Sequence, residues 1–349
     1  MTQTSASSST PRAVSTRDKL VFAAKIAVSA GLLFFCFYLI DFQQPFAAIS
    51  ALDPALLLVA FICGTLGTII LPAVITRYAL EISKIPLNLR QLIVLNFAIR
   101  FYVIIMPRIV SIWLRWRRYG GGSLSGKAFA LLVFERVVQI ATMCLFAFGA
   151  LLIERQKIGE EADALLLLTL AMSVFALLLL APFLSHWAAE KLDWLLPKMK
   201  RVLPQFIGLK LKKLVEVVTA FRDLNKSIIL RIAVISAGAF LLFVTSSYIV
   251  ASALGIAISF VALIWIRSLV FILTLIPISV AGIGLRELGF AGLLALYGID
   301  MQAAIAFSLA NFGLQLGMAA IGALFEARGF FNKPDDRHRN KDLKGNIAS

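Results

Sequence analysis

The stretch Pro277-Ile-Ser-Val-Ala-Gly-Ile-Gly-Leu-Arg-Glu287 decides the fold, because it interrupts the chain between two long apolar segments, residues 257–276 and 301–325. Its proline and glycines predict a break in a helix. Broken backbone at membrane depth is tolerated only where protein buries it or where it lines a water-filled cavity. Arg286 and Glu287 add charge at the same place, and a charge at membrane depth usually marks a functional path. We therefore expect a broken helix that carries a substrate site.

The whole chain has the composition of an integral membrane protein. Of its 349 residues, 60% are hydrophobic and only 15% are charged, and the mean hydropathy is +0.90. Residues 164–185, 232–266 and 299–325 are nearly free of charge and meet the length of about 20 apolar residues that a crossing requires. No alternating strand pattern suggests a barrel. We therefore predict an all-α polytopic protein of the plasma membrane.

The apolar pattern predicts seven to eight transmembrane helices and two re-entrant or broken elements, with a possible internal two-fold repeat. Helix is the default because backbone polar groups in lipid must be satisfied within their own segment. The helices are expected at residues 20–40, 55–77, 128–153, 164–185, 228–253, 257–276 and 301–326, and the interrupted elements at 92–114 and 278–298.

These elements are expected to form one membrane domain over residues 20–326. A basic segment at 186–227 divides it into a first half, residues 20–185, and a second half, residues 228–326. Polar tails at 1–19 and 327–349 flank the domain.

The distribution of charge predicts the orientation of the chain. Lys and Arg outnumber Asp and Glu by 34 to 19, and they cluster just outside the apolar spans. Loop 41–54 contains no Lys or Arg and 154–163 is mostly acidic, whereas 186–227 and the tail from Arg328 are basic. Since basic loops stay in the cytoplasm, both termini are expected there. The same pattern argues against nucleic-acid binding.

The interrupted elements have different predicted topologies. Both flanks of 92–114 are basic, so this element should enter and leave on the cytoplasmic side, and Arg100 and Arg108 within it could not face lipid cheaply. The alternative is an interfacial helix with a short linker. Residues 278–298 are instead expected to cross as a broken helix, since the basic tail requires one further crossing before 301–326.

The basic segment 186–227 has apolar residues at helical spacing and lysines on the opposite side. Such helices lie in the membrane interface. A cytosolic helical hairpin packed on the bundle is the alternative. The segment is also where a cytosolic partner or a second copy of the chain could dock.

The two interrupted elements resemble each other. The first contains Pro107, Ser111 and Arg115 at four-residue spacing, and the second contains Pro277 followed by glycines and Arg286. Paired interrupted segments in corresponding halves of a chain indicate a transporter's binding site. The glycines that follow Pro277 in the second element are Gly282 and Gly284. Whether the halves are inverted or parallel repeats stays open at this point.

These residues resemble the flippase-like transmembrane domain of lysylphosphatidylglycerol synthases. The resemblance covers most of residues 20–326 and implies an α-helical bundle in which two broken elements meet near the membrane centre. It also implies a phospholipid or polyprenyl-phosphate-linked lipid as substrate. Some relatives carry an aminoacyl transferase domain, which is not expected here, so synthase activity is not carried over. The resemblance rests on Asn96, Pro107, Arg115, Phe134-Glu135-Arg136, the stretch from Pro277 to Glu287, Gly298, Ala303 and Ala304.

A lipid headgroup that crosses the hydrocarbon core needs cations to replace the water around its phosphate. Arginine suits this role because its planar group binds phosphate oxygens in a bidentate manner. Glu135 and Glu287 would hold the arginines when the site is empty, since an unpaired buried charge is costly. The candidate substrate-binding residues are Arg115, Arg136, Arg267, Arg286, Glu135 and Glu287; the supporting residues are Asn96, Pro107, Pro277, Gly282, Gly284, Asn311 and Gln315.

Other function classes have weaker support. Asp41 and Asp53 in the first external loop could serve a membrane transferase that acts on a lipid carrier, and the basic segment 186–227 could serve an assembly partner. His186 and His338 stand apart from other ligand residues, so neither a metal site nor a cofactor is expected. A lipid transporter is therefore the expected function, with membrane lipids as its partners.

Overall fold

The regular structure of the described residues is helical. The computed structural model describes residues 49–50, 52–83, 87–105, 108–119, 126–184, 226–275 and 284–328. A π-helical turn, Leu66–Ile70, joins the first two helices into one continuous rod. In chain order the helices are α1 (Pro54–Thr65), α2 (Leu71–Ser83), α3 (Leu89–Ile105), α4 (Arg108–Tyr119), α5 (Gly126–Ile158), α6 (Glu161–Leu184), α7 (Lys226–Ala253), α8 (Phe260–Leu273), α9 (Leu285–Ala295) and α10 (Met301–Ala327).

The predicted all-α membrane class is confirmed. Within the described ranges, five segments are long and apolar enough to span a bilayer: Pro54–Leu80, Leu131–Ile158, Glu161–Ala181, Leu230–Ala253 and Met301–Ala327. The helix predicted at 20–40 lies outside the described residues. So do the predicted tail 1–19, most of the basic segment 186–227 and nearly all of the tail 327–349. The division into halves and tails therefore stays a prediction.

Helices α8 and α9 form an antiparallel hairpin. Gly289 of α9 contacts Val270 near the end of α8, and Trp265 of α8 donates to the Tyr297 hydroxyl at 3.0 Å. Helix α8 has 14 residues, which give about 21 Å at 1.5 Å per residue, short of the ~30 Å hydrocarbon core. The predicted crossings at 257–276 and 278–298 correspond to this pair of shorter helices, and the number of crossings stays a prediction.

Both open ends of this second hairpin lie at the end of α5. Ser259, which precedes α8, donates to Glu154 at 2.7 Å, and Tyr297, which follows α9, donates to the same carboxylate at 3.5 Å. We call the end of the bundle where α5 finishes the Glu154 end, and the end where α5 starts the Glu135 end. The second hairpin enters and leaves at the Glu154 end.

Helices α3 and α4 form a first hairpin at the predicted interrupted element 92–114. Arg115 on α4 donates to Asn96 on α3 at 3.0 Å, so the two helices lie side by side. The open ends, marked by Leu92 and Tyr119, share a buried cluster with the end of α2 and the starts of α5 and α7. Asn96 also donates to the carbonyl of Ile69, in the middle of the α1–α2 rod. The first hairpin therefore enters from the Glu135 end and reaches towards the centre.

Two sets of helices in the described residues are inverted with respect to each other. The first set is α1 to α5 and the second is α7 to α10, with α6 between them; each set has a long rod, two shorter helices and another long helix. The α1–α2 rod runs antiparallel to α7, because Ser246 donates to Ala60 and Gly67 packs against Ala239. The corresponding helices of the two sets thus run in opposite directions, and their hairpins enter from opposite ends. This arrangement favours inverted repeats over parallel ones, while the division of the chain into halves stays a prediction.

Glycines let the halves approach closely. A Cβ at Gly322 on α10 would lie 2.0 Å from the carbonyl oxygen of Phe97 on α3, and one at Gly67 would lie 2.5 Å from that of Ala239 on α7. Small residues at helix interfaces in membranes permit such backbone contact. The packing of α10 on α3 therefore positions the second half against the first hairpin.

This contact generates a stability prediction. Gly322→Ala should destabilise the protein by roughly 1–3 kcal/mol, because the added methyl collides with rigid backbone and forces the helices apart. Thermal unfolding in detergent measures the change.

The matched control is Gly313→Ala on the same helix, where a Cβ meets no atom within 4 Å. It should leave the midpoint unchanged or raise it slightly, since alanine favours helix. Equal midpoints for the two variants would contradict the packing described here.

Candidate functional site

The second hairpin begins its return helix with a glycine and a carboxylate. Gly284 has φ of +85°, a backbone conformation that favours glycine, and α9 starts at the next residue. The backbone N–H of Gly284 donates to Glu287 Oε2 at 2.7 Å. This bond satisfies one of the free donors of a helix N-terminus. The local sequence therefore fixes the carboxylate of Glu287 at the start of α9.

Glu287 holds Arg286 in place. Arg286 Nε donates to Glu287 Oε1 at 3.0 Å, and the Nη2 atom forms an ion pair with the same oxygen. Ser308 on α10 lies 3.1 Å from Arg286 Nε and donates to Glu287 at 3.3 Å. The Arg286 guanidinium also stacks over the Phe312 ring, 4.4 Å from its centroid. All three polar side chains are buried. One carboxylate thus compensates one arginine.

Arg267 lacks such compensation. It is 4% exposed and lies in the middle of α8, and its buried Nε has no hydrogen-bond partner among the described residues. Its guanidinium packs over the rings of Phe243 at 4.0 Å and Phe290 at 5.5 Å. Arg286 is near enough to repel it electrostatically. In the described part of this cluster, two arginines therefore face one carboxylate, which leaves one positive charge for an anion.

Helix α10 adds a buried amide beside these charges. Asn311 accepts a hydrogen bond from Ser247 of α7 at 2.9 Å and donates to the carbonyl of Phe307 at 2.9 Å. These bonds occupy one acceptor and one donor of Asn311 and tie α10 to α7. Gln315 is half-buried and forms no hydrogen bond with a described residue.

The first hairpin brings together a second set of predicted residues. Arg115 on α4 lies 3.8 Å from Glu135 on α5 and donates to Asn96 on α3. Thr76 of α2 hydrogen bonds Glu135 and lies 3.4 Å from the hydroxyl of the buried Tyr119. The buried Nε of Arg115 has no partner within the described ranges. This cluster is more open than the first one, because 30% of the Arg115 side chain is exposed.

The two clusters lie at different depths of the bundle. Glu135 and Glu154 are about 28 Å apart along α5, at about 1.5 Å per residue. Ser259 bonds Glu154, and Arg267 lies about 12 Å further along α8 at the same rise. Arg267 is therefore roughly midway between the two ends, and the Arg115 cluster lies towards the Glu135 end.

Some predicted residues lie elsewhere. Arg136 is exposed, donates to Gln139 at 2.7 Å and lies 5.9 Å from the ring centroid of Phe271, while its charge still acts on Glu135. Its side chain leaves α5 about 100° from that of Glu135, because adjacent residues on a helix point that far apart. Asp53 accepts from the backbone N–H of Ala55 and caps α1. The predicted supporting residues Pro107, Pro277 and Gly282 lie outside the described residues, as does Asp41.

Sequence reasoning missed several contributors. Thr76 and Tyr119 are single polar groups within apolar or basic stretches, and nothing in their spacing points to Glu135. Ser308 had a usable signal, because it lies three residues before Asn311 and so shares its helical face. Glu154 was overlooked as part of an acidic loop, although the structure buries it to 2% exposure.

Comparison with known proteins agrees with this architecture. The model of the family described as the lysylphosphatidylglycerol synthase TM region matches residues 22–322. The match spans most of the chain and confirms the resemblance found in the sequence. No curated protein matches the chain.

The unequal compensation of the two buried arginines generates a prediction. Arg267→Met should raise the thermal midpoint by roughly 2–4 °C, because it removes a buried charge that has no described acceptor and keeps the contacts with Phe243 and Phe290. Thermal unfolding of the purified protein in detergent measures this shift.

The paired control is Arg286→Met, which strands the buried Glu287. Breaking a buried ion pair in this way costs about 3–5 kcal/mol, so the midpoint should fall. If both variants lower the midpoint to the same extent, Arg267 is compensated and the charge imbalance described above is wrong.

Proposed function

The chain belongs to the family of lysylphosphatidylglycerol synthase transmembrane regions, and we propose that it moves a phosphate-bearing lipid between the two leaflets of the membrane. The observation that carries this proposal is the buried guanidinium of Arg267 at mid-depth near Arg286, whose Nε has no acceptor among the described residues. A buried charge without acceptors destabilises a fold, and such costs concentrate at functional sites. An anion that enters the bundle would supply the missing acceptors.

Phosphate is the anion that fits two neighbouring guanidinium groups. Its oxygens accept several charge-assisted hydrogen bonds, and each arginine presents a planar set of donors. Glu287 and Ser308 already occupy the Nε side of Arg286. The incoming phosphate therefore binds to Arg267 and to the remaining donors of Arg286. The polar headgroup exchanges its water for these donors while its hydrocarbon chains stay among the apolar helices.

The inverted hairpins provide a route to and from this position. Secondary transporters bind substrate near the midplane, between inverted repeats with broken helices. Here the second hairpin carries Arg267 and Arg286 inwards from the Glu154 end. The first hairpin carries Arg115 inwards from the Glu135 end. A phosphate that leaves the central pair meets Arg115 next, with Glu135 as the group that it displaces.

The described charges support an orientation for this route. The Glu154 end carries acidic residues and the Glu135 end carries basic ones, and basic ends stay in the cytoplasm. We therefore assign the Glu135 end to the cytoplasm, which agrees with cytoplasmic termini if residues 20–40 cross once. The acidic residues are Asp53, Glu160, Glu161, Asp163 and Asp300; the basic ones are Arg77, Arg90, Arg117, Arg118, Lys226, Arg231 and Arg328.

A leaflet-exchange assay tests the proposal. Purified protein is reconstituted into vesicles that contain a fluorescent anionic phospholipid, and an impermeant quencher reports how fast the inner-leaflet probe reaches the outside. The intact chain should accelerate exchange over empty vesicles. Arg267→Gln should lower the rate about tenfold, as expected for the loss of a charged hydrogen bond to the moving group.

Arg117→Gln is the matched control, because Arg117 is an exposed cation that stacks on Trp113. It should retain the rate of the intact chain. If both variants lose the same share of the exchange rate, the effect comes from overall surface charge and not from a phosphate site at Arg267. If the intact chain accelerates neither anionic phospholipids nor polyprenyl-phosphate lipids, the proposed function is wrong.

A further inference from the structure

A buried carboxylate ties the second hairpin to the first half of the chain. Glu154, on α5, is 2% exposed and accepts from Ser259 before α8 and from Tyr297 after α9. Trp265 donates to the same tyrosine hydroxyl. Lys157, one turn along α5, contributes an ammonium at 3.2 Å. Both ends of the second hairpin, before α8 and after α9, are therefore held by the Glu154 side chain of α5.

A second carboxylate stands in the matching place at the opposite end. Glu326, on α10, forms an ion pair with Arg118 of α4, in which Oε1 lies 2.8 Å from Nη2. Arg118 lies at the open end of the first hairpin, next to Tyr119, and the other helix of that hairpin, α3, packs against α10 at Gly322. One side chain of the second half thus holds the open end of the first hairpin.

The correspondence follows the inverted repeat. Helix α5 ends the first set of helices, before α6, and α10 ends the second set; each carries its carboxylate in the final turns. The exchange is reciprocal, because Glu154 of the first half holds the second hairpin and Glu326 of the second half holds the first hairpin. A hairpin that moves away from the bundle breaks its own contacts with the carboxylate. The carboxylate contacts of the other hairpin are separate and stay intact.

We propose that Glu154 and Glu326 are positioning residues that act as two separate gates, one at each end of the path to Arg267 and Arg286. Release of Glu154 opens the bundle towards the Glu154 end, and release of Glu326 opens it towards the Glu135 end. The inference adds gating to the proposed lipid movement and rests on it only for the identity of what passes.

The two gates differ in their partners. The bonds that Glu154 accepts across elements come from hydroxyl groups, and its charged partner, Lys157, lies on its own helix. Glu326 instead contacts a guanidinium across elements, as an ion pair in which its Oε1 atom accepts no hydrogen bond from a described residue.

Thiol accessibility tests the gates without any lipid substrate. The reporter is Ser308→Cys, whose parent hydroxyl contacts Arg286 and Glu287, in a chain whose native cysteines are replaced by alanine. Sealed vesicles of known orientation receive a membrane-impermeant maleimide on one side, and the labelling rate is measured.

Glu154→Leu keeps bulk but removes the acceptor, so it should raise the labelling rate from the Glu154 end about fivefold and leave the other side unchanged. Glu326→Leu should raise it from the Glu135 end only, and Arg118→Gln should act in the same direction. The matched controls are two exposed residues, Glu160→Gln at the Glu154 end and Arg117→Gln at the Glu135 end; neither should change either rate.

Equal acceleration from both sides would mean that the substitutions loosen the whole bundle, and no acceleration would mean that the carboxylates do not gate; either result overturns the proposal. Tyr297→Phe removes a single hydroxyl and provides the same test if Glu154→Leu fails to fold. Side-specific labelling in a protein that fails the leaflet-exchange assay would uphold the gates and refute lipid movement.

Discussion

A guanidinium group inside a membrane bundle requires acceptors, and the second hairpin supplies them to Arg286 through one carboxylate. Glu287 accepts from the backbone of Gly284, from Arg286 and from Ser308, so it joins the helix start, the cation and α10 in one network. Without this carboxylate, the break before α9 would place an uncompensated charge and a free helix N-terminus in the hydrocarbon core. The broken helix and its position against α10 both depend on this interaction.

Arg267 differs from Arg286 because it lies outside this network. Arg267 lies near Arg286 but, among the residues that the structure describes, it donates no hydrogen bond to the carboxylate, and the rings of Phe243 and Phe290 pack around it. Cation–π contact gives partial compensation at best. This charge imbalance favours the reversible binding of an anion, because a second carboxylate from the protein itself would stabilise the empty site. The Arg115–Glu135 pair likewise places an arginine against a glutamate nearer the Glu135 end, where the side chains are more exposed.

The sequence predicted the helical class, the interrupted element at 92–114 and the charged start of α9, because prolines, glycines and buried charges leave local signals. It did not show how 257–298 is held in the bundle. Ser259 and Tyr297 meet at Glu154 although they are distant in sequence. Long-range contacts of this kind have no local pattern, and the role of Thr76 beside Glu135 was hidden for the same reason.

The central claim is that the Arg267 guanidinium donates hydrogen bonds to the phosphate of a bound lipid. Native mass spectrometry of the purified protein, released gently from detergent, tests it most directly. The account predicts that the intact chain retains an anionic phosphate-bearing lipid, that Arg267→Gln loses it, and that Arg117→Gln retains it. Equal retention of that lipid by the intact chain and by Arg267→Gln would contradict the account.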